Sequence, residues 1–178
     1  MLGLKNNDVY LLSHQKAWSE TFQTEKQRLT HLLRAFSPTI EHIGSTAIPG
    51  IRAKPLLDLC VGIQSLTIFE QFPFEKLKQH HYYRLQNVNL KDRFVMAKFT
   101  SLETQEKSVV LHIVEHASPT FKSFITFRDY LQSHPSDAEG YEALKIDLAQ
   151  RFPSDQKAYT KGKEAFIASI LKKAGDGL

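Results

Sequence analysis

Residues 56–63, Leu-Leu-Asp-Leu-Cys-Val-Gly-Ile, are the stretch that most restricts the fold: an apolar run bounded by Pro55 and Gln64 with one carboxylate inside it. A run this short, opened by proline and closed by a polar residue, reads as a strand rather than a helix. Alternation places Leu57, Leu59 and Val61 on one face and Leu56, Asp58, Cys60 and Gly62 on the other. A carboxylate in apolar surroundings costs free energy unless it is paired, hydrogen-bonded or bound to a metal. Asp58 is therefore expected to face a cleft or a partner while the leucine face packs. A lone aspartate near a strand end also serves as a cap or in a salt bridge, and that reading stands beside the first.

The other elements arrange themselves around this strand. A short apolar run at 9–12 reads as an edge strand. From 14 to 36, Ala17, Trp18, Phe22, Leu29, Leu32, Leu33 and Phe36 recur at helical spacing, with Glu20, Gln23, Lys26, Gln27 and Arg34 opposite. Residues 39–43 read as a strand and 66–81 as a helix interrupted by Pro73. Strands follow at 82–85, 93–101 and 107–115, the last two joined as a hairpin. The final third is helical, over 119–133, then from a capping box at Ser136 and Glu139 to about 152, then beyond Pro153. Central strands flanked by helices predict an α+β fold with a small mixed sheet and a helical C-terminal third.

Composition narrows the class. A chain of 178 residues with 42% hydrophobic and 24% charged residues has the balance of one globular domain, spanning 1–178, and excludes a disordered tail protein. No apolar stretch approaches the roughly 20 residues that a membrane-spanning helix needs, and the N-terminal sequence carries no signal-peptide pattern, so a cytoplasmic protein is expected. The single cysteine, Cys60, rules out an intramolecular disulfide and a cysteine-rich zinc site. A net charge of +4, from 23 basic and 19 acidic residues, favours phosphate-bearing partners. The charges are mixed rather than clustered, so a nucleic-acid partner is permitted but not indicated.

The segment ahead of the strand, Ile43-Gly44-Ser45-Thr46-Ala47-Ile48-Pro49-Gly50, supplies a second constraint. Gly44 allows a sharp turn out of a strand. Were a short helix to begin there, its free N–H groups and the Ser45 hydroxyl would form an anion site. The ordinary reading of Gly-Ser-Thr after a strand is simply a turn.

The residues Ile40-Glu41-His42-Ile43-Gly44-Ser45-Thr46-Ala47-Ile48-Pro49-Gly50 and Ala53-Lys54-Pro55-Leu56-Leu57-Asp58 together resemble the signature of the GrpB-like proteins. Trp18, Arg93-Phe94, Leu111-His112, Phe127-Arg128-Asp129-Tyr130-Leu131, His134-Pro135, Tyr141, Leu144-Lys145, Tyr159 and Lys163 fit the same pattern, so the resemblance spans nearly the whole chain. It implies membership of the nucleotidyltransferase superfamily, whose minimal fold is a small mixed sheet with helices around it; some relatives are fused to dephospho-CoA kinase. In that superfamily a Gly-Ser turn contacts nucleotide phosphates, and an Asp-x-Asp or Asp-x-Glu pair further along holds divalent metal. Carried onto this chain, Gly44, Ser45 and Thr46 would meet the phosphates of an NTP substrate and Asp58 would hold Mg²⁺. Such chemistry rests on neutralising triphosphate charge and on in-line placement of the nucleophile.

The chain departs from the pattern two residues after Asp58, where Cys60 stands and a second carboxylate would be needed. A thiol is a poor Mg²⁺ ligand, and GrpB-like relatives often carry a non-acidic residue there too. Glu41, Asp92 and Glu115 are the alternative donors. Lys54 and Arg52 lie in the loop before Asp58, within reach of phosphates or merely solvated. Arg93 and Lys98 alternate to opposite faces of their strand, so at most one faces Asp58. His112, inside Val-Val-Leu-His-Ile-Val, is a candidate acid/base or a satisfied core histidine. Arg128 is a candidate phosphate ligand or a partner for a charge on the sheet. Two functions follow: Mg²⁺-dependent nucleotidyl or phosphoryl transfer from an NTP, or a non-catalytic nucleotide- or polyanion-binding module that has lost the second metal carboxylate.

Overall fold

The apolar run is the second strand of a five-stranded mixed sheet ordered β1-β2-β5-β4-β3. The computed structural model describes residues 2–176 apart from Asn87 and Asn89. Strands β1 (Thr39–Ile43), β2 (Leu57–Ile63), β3 (Tyr82–Arg84), β4 (Phe94–Ser101) and β5 (Glu106–Glu115) are accompanied by helices α1 (Ala17–Leu32), α2 (Phe74–Gln79), α3 (Pro119–Ser133), α4 (Pro135–Arg151), α5 (Gln156–Lys161) and α6 (Glu164–Asp176). Only β2 and β5 run parallel; the other three pairs are antiparallel. The α+β architecture expected of the sequence is the one observed.

Alternation along β2 divides the molecule. Leu57, Leu59 and Val61 are fully buried in one core with Val109, Leu111 and Ile113 of β5 and with Trp18, Phe22 and Leu29 of α1. Each such side chain withdrawn from water contributes about 1.5–3 kcal/mol. The opposite face carries Cys60 and Val114, packed with Ile43 against Phe121, Phe124 and Ile125 of α3. The C-terminal helices form a separate apolar cluster with the loop after β1, in which Ile48 and Ile51 meet Phe127, Leu131, Tyr141 and Ile170. They therefore roof the second sheet face near the start of β2.

Several boundaries differ from the sequence expectation, each for a local reason. The run at 9–12 makes only an isolated bridge, Leu12 to Ala53. Helix α1 stops at Leu32 because the chain tightens into a 3-10 turn at Arg34–Phe36 and leaves it through Ser37 at a left-handed φ of 44°. The helix expected over 66–81 divides at Pro73 into a 3-10 helix, Leu66–Gln71, and α2. Helix α4 opens at Pro135, with His134 before it and no side-chain cap, so Ser136 and Glu139 form no capping box; proline suits the first helical position because its missing N–H would be unpaired there. The last helix divides at Gly162 and Lys163 into α5 and α6. No helix among the described residues is long and apolar enough to cross a membrane.

Candidate functional site

Strand pairing brings the two sequence signals together. In the β1/β2 register Ile43 lies opposite Asp58, so the turn that leaves β1 passes directly over the carboxylate. Gly44 takes φ 70° and ψ −170° there. A Cβ at this position would stand 2.8 Å from Asp58 Oδ2 and 3.2 Å from Asp58 Cβ. Glycine is required twice over, by the backbone conformation and by the room the carboxylate occupies. Ser45–Ala47 then make a single 3-10 turn. Thr46 is held from below by His42, whose Nε2 lies 2.9 Å from Thr46 Oγ1 and whose ring stacks on Phe22 at 4.8 Å. Burial lowers the His42 pKa to about 4, so at neutral pH this imidazole is an uncharged support.

Asp58 opens into a cleft of about 570 Å³ whose walls include Gly44, Ser45, Thr46, Lys54, Arg93 and His112. Its side chain is 35% exposed, and His112 Nε2 stands 3.6 Å from Asp58 Oδ1, longer than a hydrogen bond. Desolvation pushes the Asp58 carboxyl up, but contact with His112 and the charges of Lys54 and Lys163 outweigh it, leaving the pKa below the usual value. The carboxylate is thus ionised at neutral pH. His112 packs on Phe124 with ring centroids 5.2 Å apart, and Arg93 lies over the same phenylalanine at 5.5 Å.

The far wall comes from α4, α5 and the start of α6. Tyr141 and Tyr159, both buried, line the cleft together with Ser45. Lys54 Nζ lies 5.3 Å and Lys163 Nζ 4.7 Å from the Tyr159 ring centroid. Burial, then the nearby Lys54 charge, lowers the Lys163 pKa to about 8; burial lowers that of Lys54 as well. Neither lysine has a direct carboxylate partner among the described residues. Behind them Lys145, only 1% exposed, donates to the Arg52 carbonyl while Glu142 Oε1 accepts from the Arg52 N–H at 2.6 Å. Helix α4 therefore clamps both main-chain polar groups of one residue, Arg52, in the loop that carries Lys54. Burial lowers the Lys145 pKa to about 7.

Two of the expected site residues stand elsewhere. Lys98 projects from the opposite sheet face, where its Nζ lies 2.6 Å from Glu25 Oε1 of α1; strand parity separates it from Arg93, which does line the cleft. Arg128 is occupied by Glu41 Oε2 at 2.7 Å, Asp129 Oδ1 at 2.7 Å and the His42 carbonyl at 2.9 Å. It braces β1 from α3 instead of entering the cleft. Arg52 is exposed.

The alternative carboxylates are also engaged away from Asp58. Glu41 pairs with Arg128. Asp92 accepts from Arg93 at 3.0 Å and from Thr120 at 2.7 Å. Glu115 caps the 3-10 helix through Leu66 N and Ser65 Oγ. Among the described residues no group of three or more His, Cys, Asp or Glu is placed to hold a metal ion. Cys60 is fully buried, and burial pushes its thiol up to about 12, so it is no thiolate ligand. Asp58 alone remains as a hard anionic donor.

Sequence reasoning did not assign Tyr141, Lys145, Tyr159 or Lys163 to the site. One signal was available: Lys145 falls on the stripe made by Tyr141 and Leu148 of α4, and a lysine on an apolar stripe marks a place where burial must be compensated.

Comparison with known proteins identifies the family and the fold. Residues 8–173 match the family model described as GrpB protein. The Glutamate-rich protein GrpB of Alkalihalophilus pseudofirmus is 40% identical over 171 residues, covering 96% of this chain and 98% of its own length. The crystal structure of the conserved protein GrpB from Enterococcus faecalis superposes with a TM-score of 0.81 at 29% identity, over 93% of this chain and 96% of that one. A Cid1 poly(U) polymerase structure with MgGTP bound superposes at 0.52 and 16% identity over 78% of this chain and 44% of its own, which is a likeness of fold alone. Matched in sequence over nearly its whole length and in structure by a second GrpB, the chain belongs to the GrpB family and carries the nucleotidyltransferase fold.

Proposed function

We propose that the cleft binds a nucleoside triphosphate, with its phosphates between the Gly44–Thr46 turn and the pair Lys54 and Lys163, and with a single Mg²⁺ on Asp58. The observation that carries this reading is the position of Lys54 and Lys163. Two half-buried cations without a direct carboxylate partner among the described residues face an ionised aspartate across the cleft. Such cations are costly unless an anion neutralises them, and a polyphosphate supplies that anion. Lys163 also immediately precedes α6, whose free N–H groups add positive potential at the same end.

The donor set fits one hard cation rather than two. Mg²⁺ accepts one or two protein carboxylates, completing its shell with water and substrate phosphates, and Asp58 is such a carboxylate. When bound, the ion would offset phosphate charge beside the turn. Paired-metal transfer chemistry uses two ions about 3.5–4 Å apart, and among the described residues Asp58 is the only carboxylate that lines the cleft. That arrangement favours a nucleotide-binding function over the two-metal transfer of the polymerases that share the fold. The Cid1 neighbour with MgGTP bound supports the choice of ligand class by analogy of fold.

Thermal unfolding with ATP, GTP, CTP and UTP, each with and without Mg²⁺, tests the proposal. The expected result is stabilisation by at least one triphosphate, enhanced by Mg²⁺ in the wild type and no longer enhanced in Asp58→Asn. Indifference to all four nucleotides overturns it. Pyrophosphate release in the same mixtures would assign transfer chemistry in addition to binding.

A further inference from the structure

The cleft continues well past the phosphate end. Lys163, Ile167 and Leu171 recur every four residues along one side of the junction and α6, and all three line the cleft. At 1.5 Å per residue the step from Lys163 to Leu171 is about 12 Å. Across from this stripe, Arg93 lies over the Phe124 ring, and Val88 and Leu90 complete the wall. Val88 and Leu90 are each 39% exposed, and they are two of only four large apolar side chains exposed among the described residues. Besides the Arg93 guanidinium, the cleft thus offers four aliphatic side chains, Val88, Leu90, Ile167 and Leu171.

Of the Arg93 nitrogens, Nη1 is engaged with Asp92, whose side chain is half-exposed. The guanidinium is planar, and its remaining N–H groups suit a carboxylate better than a hydroxyl or an amine. A nucleobase would call for paired hydrogen-bond groups, whereas the side chains of Val88, Leu90, Ile167 and Leu171 offer none.

The geometry points to a second subsite in this cleft, for an aliphatic carboxylate whose chain lies along Ile167, Leu171, Val88 and Leu90 and whose head group meets Arg93. It deepens the nucleotide reading by giving the same cleft a second ligand, and its test needs no nucleotide. Isothermal titration of the full chain with n-octanoate, n-octanol and n-octylamine presents one chain with three head groups. Octanoate is expected to bind, octylamine not, and octanol at least about tenfold more weakly, the usual worth of a charge-assisted hydrogen bond. Arg93→Gln should weaken octanoate by a similar factor without changing octanol. Leu171→Asn should weaken both. Thermal unfolding of each variant checks that it is folded. Equal binding of the three head groups, octanoate affinity within twofold of wild type in Arg93→Gln, or no binding of octanoate overturns the subsite. The triphosphate titration with Lys163→Ala reports separately on the phosphate end, so failure of one reading does not mimic failure of the other.

Discussion

Replacing Gly44 by alanine tests the joint between turn and carboxylate more sharply than any other change. The residue sits at φ 70° and ψ −170°, a region almost restricted to glycine, where an L-residue costs about 1–3 kcal/mol. The added methyl would also stand 2.8 Å from Asp58 Oδ2 and 3.2 Å from Asp58 Cβ. The carboxylate end can rotate away, but the Cβ is fixed to β2, so the turn must lift as well, adding about 1–3 kcal/mol of overpacking. The expected destabilisation is roughly 2–6 kcal/mol from these two sources together. Gly50 provides the control, since its φ is 86° but a Cβ there meets nothing within 4 Å. Gly50→Ala should show backbone strain alone, about 1–2 kcal/mol. Urea unfolding of the two variants measures the difference, and a Mg²⁺-nucleotide thermal shift measures the site. Gly44→Ala should be the less stable and should lose the Mg²⁺-dependent part of the shift. Equal stabilities, or a Gly44→Ala protein with an unchanged metal-dependent shift, would refute the argument that the turn and Asp58 form one unit.

Three further outcomes follow from the charges. Triphosphate affinity should fall as pH rises through about 8, because free Lys163 loses its proton there whereas bound phosphate favours the ammonium; calorimetry in buffers of different ionisation heat should register proton uptake on binding. Glu25, 4% exposed, accepts from Tyr82, Arg28 and Lys98, so Glu25→Ala, which strands the buried Tyr82 hydroxyl and leaves two half-buried cations without their acceptor, should cost about 1–3 kcal/mol in urea unfolding. Burial raises the Glu25 pKa but hydrogen bonds from Lys98 and Tyr82 outweigh it, leaving a net lowering. Its stabilising contribution is therefore complete above the ordinary glutamate pKa and lost as pH falls through the folded value, which wild-type and Glu25→Gln acid-unfolding curves should separate. Arg128→Ala should loosen β1 by freeing Glu41 and the His42 carbonyl, lowering thermal stability while retaining the triphosphate response, since Arg128 stands outside the cleft.

Much of the framework is written locally. The run at 56–63 reads as a strand from its length and flanks, and the strand observed is Leu57–Ile63; alternation alone assigns Leu57, Leu59 and Val61 to the packed face and Asp58 to the other, as found. The stripe of α1 likewise identifies Trp18, Phe22, Leu29 and Leu33 as core. Local pattern was less informative where two structures compete over a few residues. Gly162 stands inside helical periodicity, and only the packed chain shows that it divides its helix, whereas Pro73 marks its interruption in the sequence itself. At 135–139 the proline at the first helical position prevailed over the capping-box pattern.

The sequence by itself determined that Asp58 leaves the core, that glycine precedes a turn ahead of it, and that Arg93 and Lys98 take opposite sides. These properties depend on neighbours one to four residues away. Parity says that two strand residues differ in face but not which face is open, and helical position says nothing about the partner across a gap. So Lys98 turned out to serve Glu25 and Arg128 to serve Glu41. Tertiary structure alone decided that the carboxylate would be met by Tyr141, Tyr159 and Lys163. They lie about half the chain length away in sequence, and only the packing of the C-terminal helices over the second sheet face brings them to it.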